Sequence, residues 1–190
     1  MLPEPIAVTL KVTTLLEKLN IPYFLGGSFA SAVHGVVRTT QDSDILAEMD
    51  LNHVAEFVQA LESDFYIDDL MIKDATKRKS SFNIIHKDSL FKVDIFISKR
   101  RPFEYSELSR AQEQILSNEP QVAAKVCTAE DIILAKLEWF RLGGESSERQ
   151  WRDILGILKI QKNDLDFEYL YQWAAQLQVS DLLDKALSQD

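Results

Sequence analysis

Apolar residues recur at helical spacing from the start of the chain. Ile6, Leu10, Val12, Leu15, Leu16 and Leu19 predict a helix over 5–19. The short run Ile21-Pro22-Tyr23-Phe24-Leu25, punctuated by Pro22 and ended by Gly26-Gly27, predicts a buried strand entering a tight turn. Ser28 is then the expected N-cap of a helix over Phe29–His34 that stops at Gly35. A second strand is expected over Asp44–Met49. After it, Val54, Phe57, Val58 and Leu61 mark one face of an amphipathic helix over Leu51–Leu61. Asp68–Lys79 reads as a helix or a loop.

The next segments change period from helical to alternating. Phe82–His86 and Leu90–Ile97, joined by Lys87-Asp88-Ser89, predict an antiparallel pair. In the second of them Phe91, Val93, Ile95 and Ile97 face one way, and Lys92, Asp94 and Phe96 the other. Gln121–Val126 suggests a further strand. From Thr128 the pattern turns helical: Thr128-x-x-Asp131 is a capping signature for Ile132–Arg141, which Gly143-Gly144 ends. Ser147-x-x-Gln150 opens a helix to about Ile160, Asp166 or its neighbour begins another through Tyr169–Leu177, and Ser180 a last short one. The fold class expected is α/β (α+β), a mixed sheet flanked by helices and followed by a helical C-terminal part. The organisation expected is an α/β domain over 1–103, a connecting segment over 104–127 with an added strand, and a helical domain over 128–190 packed on the first.

Composition narrows the classes. The chain has 190 residues, 46% hydrophobic and 27% charged, with a net charge of −9. That length buries a core without staples, and that charge argues against a protein that coats DNA or membranes. The single cysteine, Cys127, excludes an internal disulfide framework and cysteine-cluster zinc sites. No basic segment followed by an apolar stretch opens the chain, and no uncharged apolar run approaches the ~20 residues of a membrane span, so a cytoplasmic protein with no membrane partner is expected. The charge is unevenly distributed. Asp42–Asp69 carries acids and no lysine or arginine, whereas Met71–Arg101 holds Lys73, Lys77, Arg78, Lys79, Lys87, Lys92, Lys99, Arg100 and Arg101 against Asp74, Asp88 and Asp94. That basic stretch is either a solvated face or a cationic rim suited to phosphate.

The chemistry concentrates in Gly26-Gly27-Ser28, Asp42-Ser43-Asp44 and Asp94. Paired glycines let the backbone approach a ligand, and a helix starting there points free N–H groups at an anion. Asp42 and Asp44, two apart on a strand, project to one side, and Asp94 occupies an alternate position of its own strand. Three converging carboxylates repel one another unless a cation lies between them. Mg²⁺ takes such oxygen ligands and bridges to phosphates, and two ions about 3.5–4 Å apart hold the attacking and leaving oxygens of a phosphoryl displacement.

The string from Gly26 to Asp44, followed by a lone Asp94 among apolar residues, resembles the nucleotidyltransferase superfamily related to DNA polymerase β. It is especially similar to the small bacterial branch that includes the nucleotidyltransferase toxins of type IV toxin–antitoxin systems and antibiotic nucleotidyltransferases. The resemblance covers about residues 20–100, and Lys136 and Arg152-Asp153 extend it into the C-terminal helices. It implies a nucleotidyltransferase fold and transfer of a nucleoside monophosphate from an NTP to an acceptor hydroxyl, with release of pyrophosphate. The cofactor implied is Mg²⁺, as two ions that Mn²⁺ can replace. Gly26, Gly27 and Ser28 would hold the nucleotide phosphates, Asp42 and Asp44 both metals, and Asp94 the second metal while helping to activate the attacking hydroxyl. The acceptor is open among an RNA end, a protein and a small molecule. The alternative is a catalytically vestigial nucleotide- or partner-binding module, with an antitoxin-like partner protein.

Other residues carry two readings each. Arg38 meets a phosphate or pairs with the acidic patch. Lys136 and Arg152 reach the triphosphate or acceptor, or form salt bridges with Glu138 or Asp153. Lys92 reads as a solvated strand residue, Cys127 as a small buried apolar one, and His34, His53 and His86, which share no ligand spacing, as structural or exposed. Trp139, Phe140, Trp151, Tyr169, Tyr171 and Trp173 read as packing residues or as a platform for a base or drug ring.

Overall fold

Strict alternation dictates the two strands at the centre. In the computed structural model, which describes residues 2–36 and 42–189, β2 (Asp42–Ala47) and β5 (Lys92–Ile97) bury every second residue. Ile45, Ala47, Val93, Ile95 and Ile97 enter the core, while Asp42, Asp44, Leu46, Lys92, Asp94 and Phe96 stand half-buried on the other face. The two strands run parallel, which puts Asp44 opposite Asp94 and Asp42 opposite Lys92.

The sheet grows outward from this pair. β1 (Tyr23–Leu25), buried throughout, runs antiparallel to β2. β4 (Ser81–His86) lies antiparallel to β5, and the short β3 (Phe65–Tyr66) closes that edge. Beyond β1, β7 (Gln121–Val126) joins in parallel and β6 (Gln112–Asn118) pairs with it as a hairpin. The resulting order is β3-β4-β5-β2-β1-β7-β6, a mixed seven-stranded sheet among the described residues.

Helices α1 (Glu4–Lys18) and α3 (Leu51–Leu61) pack on each other, and α1 reaches β2. α2 (Gly27–Val33) follows β1, and α4 (Asp69–Arg78) packs on α3 and β4. α5 (Pro102–Arg110) starts at a proline in the first turn, where the missing N–H is harmless. Thr128, Ser147 and Asp166 cap α6 (Ala129–Leu142), α7 (Glu148–Gln161) and α8 (Phe167–Gln176) by accepting a backbone N–H three residues on, as their spacing predicted. α9 (Ser180–Leu187) packs on α7 and α8, and α6 packs on α2, α7 and α8. One continuous buried cluster joins Ile45, Val93 and Ile95 of the sheet to Ile133, Leu134 and Leu137 of α6. Among the described residues no helix is long and apolar enough to cross a membrane.

Three differences from the sequence reading have local causes. Ser28 is not the N-cap: Gly26 takes that place and the helix begins at Gly27, leaving the Ser28 hydroxyl to donate to the Asp42 carbonyl at 3.4 Å. α5 lacks an apolar stripe because its buried face is Phe103, Glu104 and Glu107. β6 lacks alternation because its register shifts between Ile115 and Ser117, so the neighbours Leu116 and Ser117 are both half-buried and the period of two is broken.

Candidate active site

The glycine turn is shaped around Asp44. Gly26 donates its N–H to the Asp44 carbonyl at 2.9 Å, tying the end of β1 to β2. Gly27 follows at φ +50°, where a side chain is disfavoured. A Cβ placed on Gly27 would stand 1.7 Å from Asp44 Oδ2. The Asp44 carboxylate therefore lies directly against the Gly27 backbone, and it also accepts the N–H of Ser28 at the start of α2.

Charge is unbalanced here. Burial, and then the charges of Asp42 and Asp94, push the Asp44 carboxyl above its ordinary value, with Lys136 and the Ser28 N–H partly offsetting them. Asp94, opposite Asp44 in register, is ion-paired to Lys92, whose Nζ lies 2.7 Å from Asp94 Oδ2. Lys92 is thus not simply solvated. Residues two apart on a strand share a face, and its ammonium is held protonated chiefly by that hydrogen bond, with Asp42 and Asp44 adding to it.

Lys136 on α6 forms an ion pair with Asp153 on α7 at 2.9 Å, and the two side chains are only 10% and 6% exposed. Glu138 pairs instead with Arg101, at 2.6 and 3.0 Å. Arg152 is exposed and does not line the cleft. Arg38 lies outside the described residues.

These elements wall one cleft of about 750 Å³. Gly26, Gly27, Ser28, Asp42, Asp44, Lys136 and Asp153 line it, and Asp94 is not among its described lining residues. Phe96 and Trp139 meet edge to face at 6.1 Å on its wall, and Trp139 is 54% exposed, so this tryptophan is not a core residue. The basic stretch adds Lys79, Lys99 and Arg101. Sequence reading missed Glu104 and Glu107, which come to the same cleft from α5; the only sequence signal was Pro102 as a helix start.

The histidines have structural partners. The His34 ring contacts the Cys127 carbonyl at 2.8 Å, His53 caps α3, and His86 meets Ser89 and packs edge-on against Phe65. Cys127 is buried, and burial pushes its thiol up.

Asp42, Asp44 and Asp94 are hard oxygen donors on adjacent strands in a region short of positive charge, and this donor set fits a divalent cation in kind. As the side chains stand, no three carboxylates, imidazoles or thiols among the described residues converge closely enough to hold one, and Lys92 holds the Asp94 carboxylate.

No protein-family model and no curated protein matches the chain. Solved structures do. An antigenic nucleotidyltransferase-like protein from Paracoccidioides brasiliensis is similar with a TM-score of 0.57 at 20% identity, over 97% of this chain and 93% of that one. The antibiotic-resistance factor ANT(2'')-Ia matches with a TM-score of 0.55 at 13% identity, over 97% and 96%. Its complex with adenylyl-2''-tobramycin gives 0.51 at 12% identity, over 91% and 96%. At these identities the likeness concerns architecture, and it extends over nearly the whole of each chain: this protein has the nucleotidyltransferase fold.

Proposed function

We propose that this protein is a nucleotidyltransferase that moves a nucleoside monophosphate from an NTP to an acceptor hydroxyl, with release of pyrophosphate. The observation that carries the reading is the contact between Asp44 and the Gly27 backbone. It joins a turn suited to phosphate and carboxylates suited to a metal on one wall of one cleft. The Gly26-Gly27-Ser28 turn at the start of α2 would hold the nucleotide phosphates. Asp42, Asp44 and Asp94 would hold Mg²⁺ or Mn²⁺. Bound there, divalent ions supply neutralisation of the triphosphate and activation of the attacking oxygen. Asp94 would orient the acceptor hydroxyl and take part in removing its proton. Dependence on NTP fits a cytoplasmic protein.

The pairing of Asp94 with Lys92 favours a second reading. In it the fold serves as a nucleotide- or partner-binding module of the toxin–antitoxin kind, with its chemistry lost. Labelled NTPs incubated with Mg²⁺ or Mn²⁺ and cell RNA, protein or small-molecule fractions separate the two. Transfer that is lost in the Asp42→Ala/Asp44→Ala/Asp94→Ala variant supports the enzyme. Full transfer by that variant refutes the assignment, and metal-independent nucleotide binding without transfer supports the module.

A further inference from the structure

Four charged side chains share one half-buried face of the sheet. β2 supplies Asp42 and Asp44, and β5 supplies Lys92 and Asp94. The parallel register sets Asp42 opposite Lys92 and Asp44 opposite Asp94. On the other side of β5 the partner positions of β4 are uncharged, Ile85 opposite Lys92 and Asn83 opposite Asp94. Lys92 is therefore the one cation that these three strands place on this face. A lysine on an open strand is free to carry its head group into water, and this one does not. Its Nζ lies 2.7 Å from Asp94 Oδ2, with the two side chains 42% and 19% exposed, and Asp42 and Asp44 act on the same ammonium.

An ion pair this exposed is weak in itself. Its consequence lies in what it excludes. Asp42 and Asp44 stand together on β2, whereas Asp94 is the carboxylate that a second ion, about 3.5–4 Å from the first, would have to use. A divalent ion is repelled by the Lys92 ammonium twice as strongly as a unit charge at the same distance. Ion and ammonium therefore compete for Asp94. Lys92 is tethered two residues away, so its local concentration is high, while an ion must come from dilute solution and shed water. An ion that arrives on the phosphates of a nucleotide needs only one or two carboxylates besides, and Asp42 and Asp44 provide them. Before nucleotide binds, one such ion and the Lys92 ammonium together balance the three carboxylates.

We propose that Lys92 stands in for the second divalent ion: the site takes one ion, on Asp42 and Asp44, and the Lys92 ammonium supplies the positive charge at Asp94. Lys92 is then a positioning residue. It holds Asp94 through Oδ2 and leaves Oδ1 to meet the acceptor hydroxyl. The pairing that favours a binding module is, on this proposal, part of a working site.

The inference rests on the nucleotidyltransferase reading for the use of the ions, and its test keeps the two apart. Mn²⁺ bound per chain is counted by electron paramagnetic resonance in the wild type, Lys92→Met and Lys92→Arg, each with and without the α,β-methylene analogue of ATP. Methionine keeps most of the length of the side chain without its charge, and arginine keeps the charge. Lys92 is half-exposed and outside the core, so both variants are expected to melt as the wild type does. With the analogue bound, the expected count is one ion in the wild type and Lys92→Arg, and two in Lys92→Met. Two ions in the wild type or Lys92→Arg, or one in Lys92→Met, refutes the substitution and leaves the transfer reading standing. If the analogue binds none of the three proteins, the transfer reading falls and Mn²⁺ alone decides. One ion more in Lys92→Met than in the wild type then upholds the proposal, and equal counts overturn it.

Discussion

Two adjacent glycines should respond in opposite ways to one added methyl group. In Gly27→Ala the new Cβ meets Asp44 Oδ2 at 1.7 Å, Cγ at 2.5 Å and Cβ at 2.8 Å. Turning the Asp44 side chain away relieves the first two contacts but not the third, since Cβ is fixed to the strand. β2 and the start of α2 must therefore move apart. Alanine at φ +50° adds about 1–2 kcal/mol of backbone strain, and overpacking adds about 1–3 kcal/mol. The sum, roughly 2–5 kcal/mol, corresponds to a Tm drop of roughly 4–20 °C for a chain of this size. In Gly26→Ala the only neighbour among the described residues is Phe24 Cε2 at 3.7 Å, an ordinary contact, at φ −115°. That variant should stay within about 0.5 kcal/mol of wild type. Urea unfolding and thermal melts of both variants, with nucleotide titration of Gly27→Ala, decide the matter. A Gly27→Ala protein as stable as Gly26→Ala, binding nucleotide normally, would refute the close approach of turn and carboxylate.

Asp44→Asn should raise Tm at neutral pH in chelator while abolishing transfer. The folded carboxyl is raised above 3.8, chiefly by burial, so ionising it opposes folding. The gain is full above the raised folded value and disappears below 3.8, where both states carry the neutral acid; melts across pH that run the other way would contradict the charge imbalance. Lys136→Met strands Asp153, 4% exposed, without its ammonium, and should cost about 3–5 kcal/mol in urea unfolding. Lys136→Met/Asp153→Leu should recover part of that loss, and a single variant within about 1 kcal/mol of wild type would show the pair to be weak.

Legibility in the sequence followed the physics of each element. β2, β5 and α3 were readable because each buries one face, so polarity and burial coincide residue by residue. The caps at Thr128, Ser147 and Asp166 were readable because short polar side chains there have one good use. α5 was not. Two of the three residues on its inward face are carboxylates, and a carboxylate in a sequence is counted as exposed. β6 was missed for a related reason: a bulged, polar edge strand carries no period to detect. Ser28 was misread because the local rule for caps does not know that Asp44 occupies the space next to Gly27.

The same reasoning separates the two halves of the cleft. Gly26, Gly27, Asp42 and Asp44 come from segments close in sequence and line the cleft, whereas Asp94 comes opposite Asp44 through the parallel pairing of β5 with β2 and is not among the described lining residues. Lys136, Asp153, Glu104 and Glu107 reach the cleft from three helices distant in sequence, and only the packing of those helices against the sheet decides what they face. Net charge misleads for the same reason. Of the two readings of the basic stretch, a solvated face or a cationic rim, the pairing of most of its cations with neighbouring acids favours the first, Lys73 with Asp69 at 2.6 Å and Arg78 with Asp74 at 2.9 Å among them. Burial and neighbouring carboxylates raise the carboxyls of Asp44 and Glu107, which line the same cleft as Lys99 and Arg149. Under the proposed function, the phosphates of a nucleotide would enter this cleft together with the divalent ions that neutralise them.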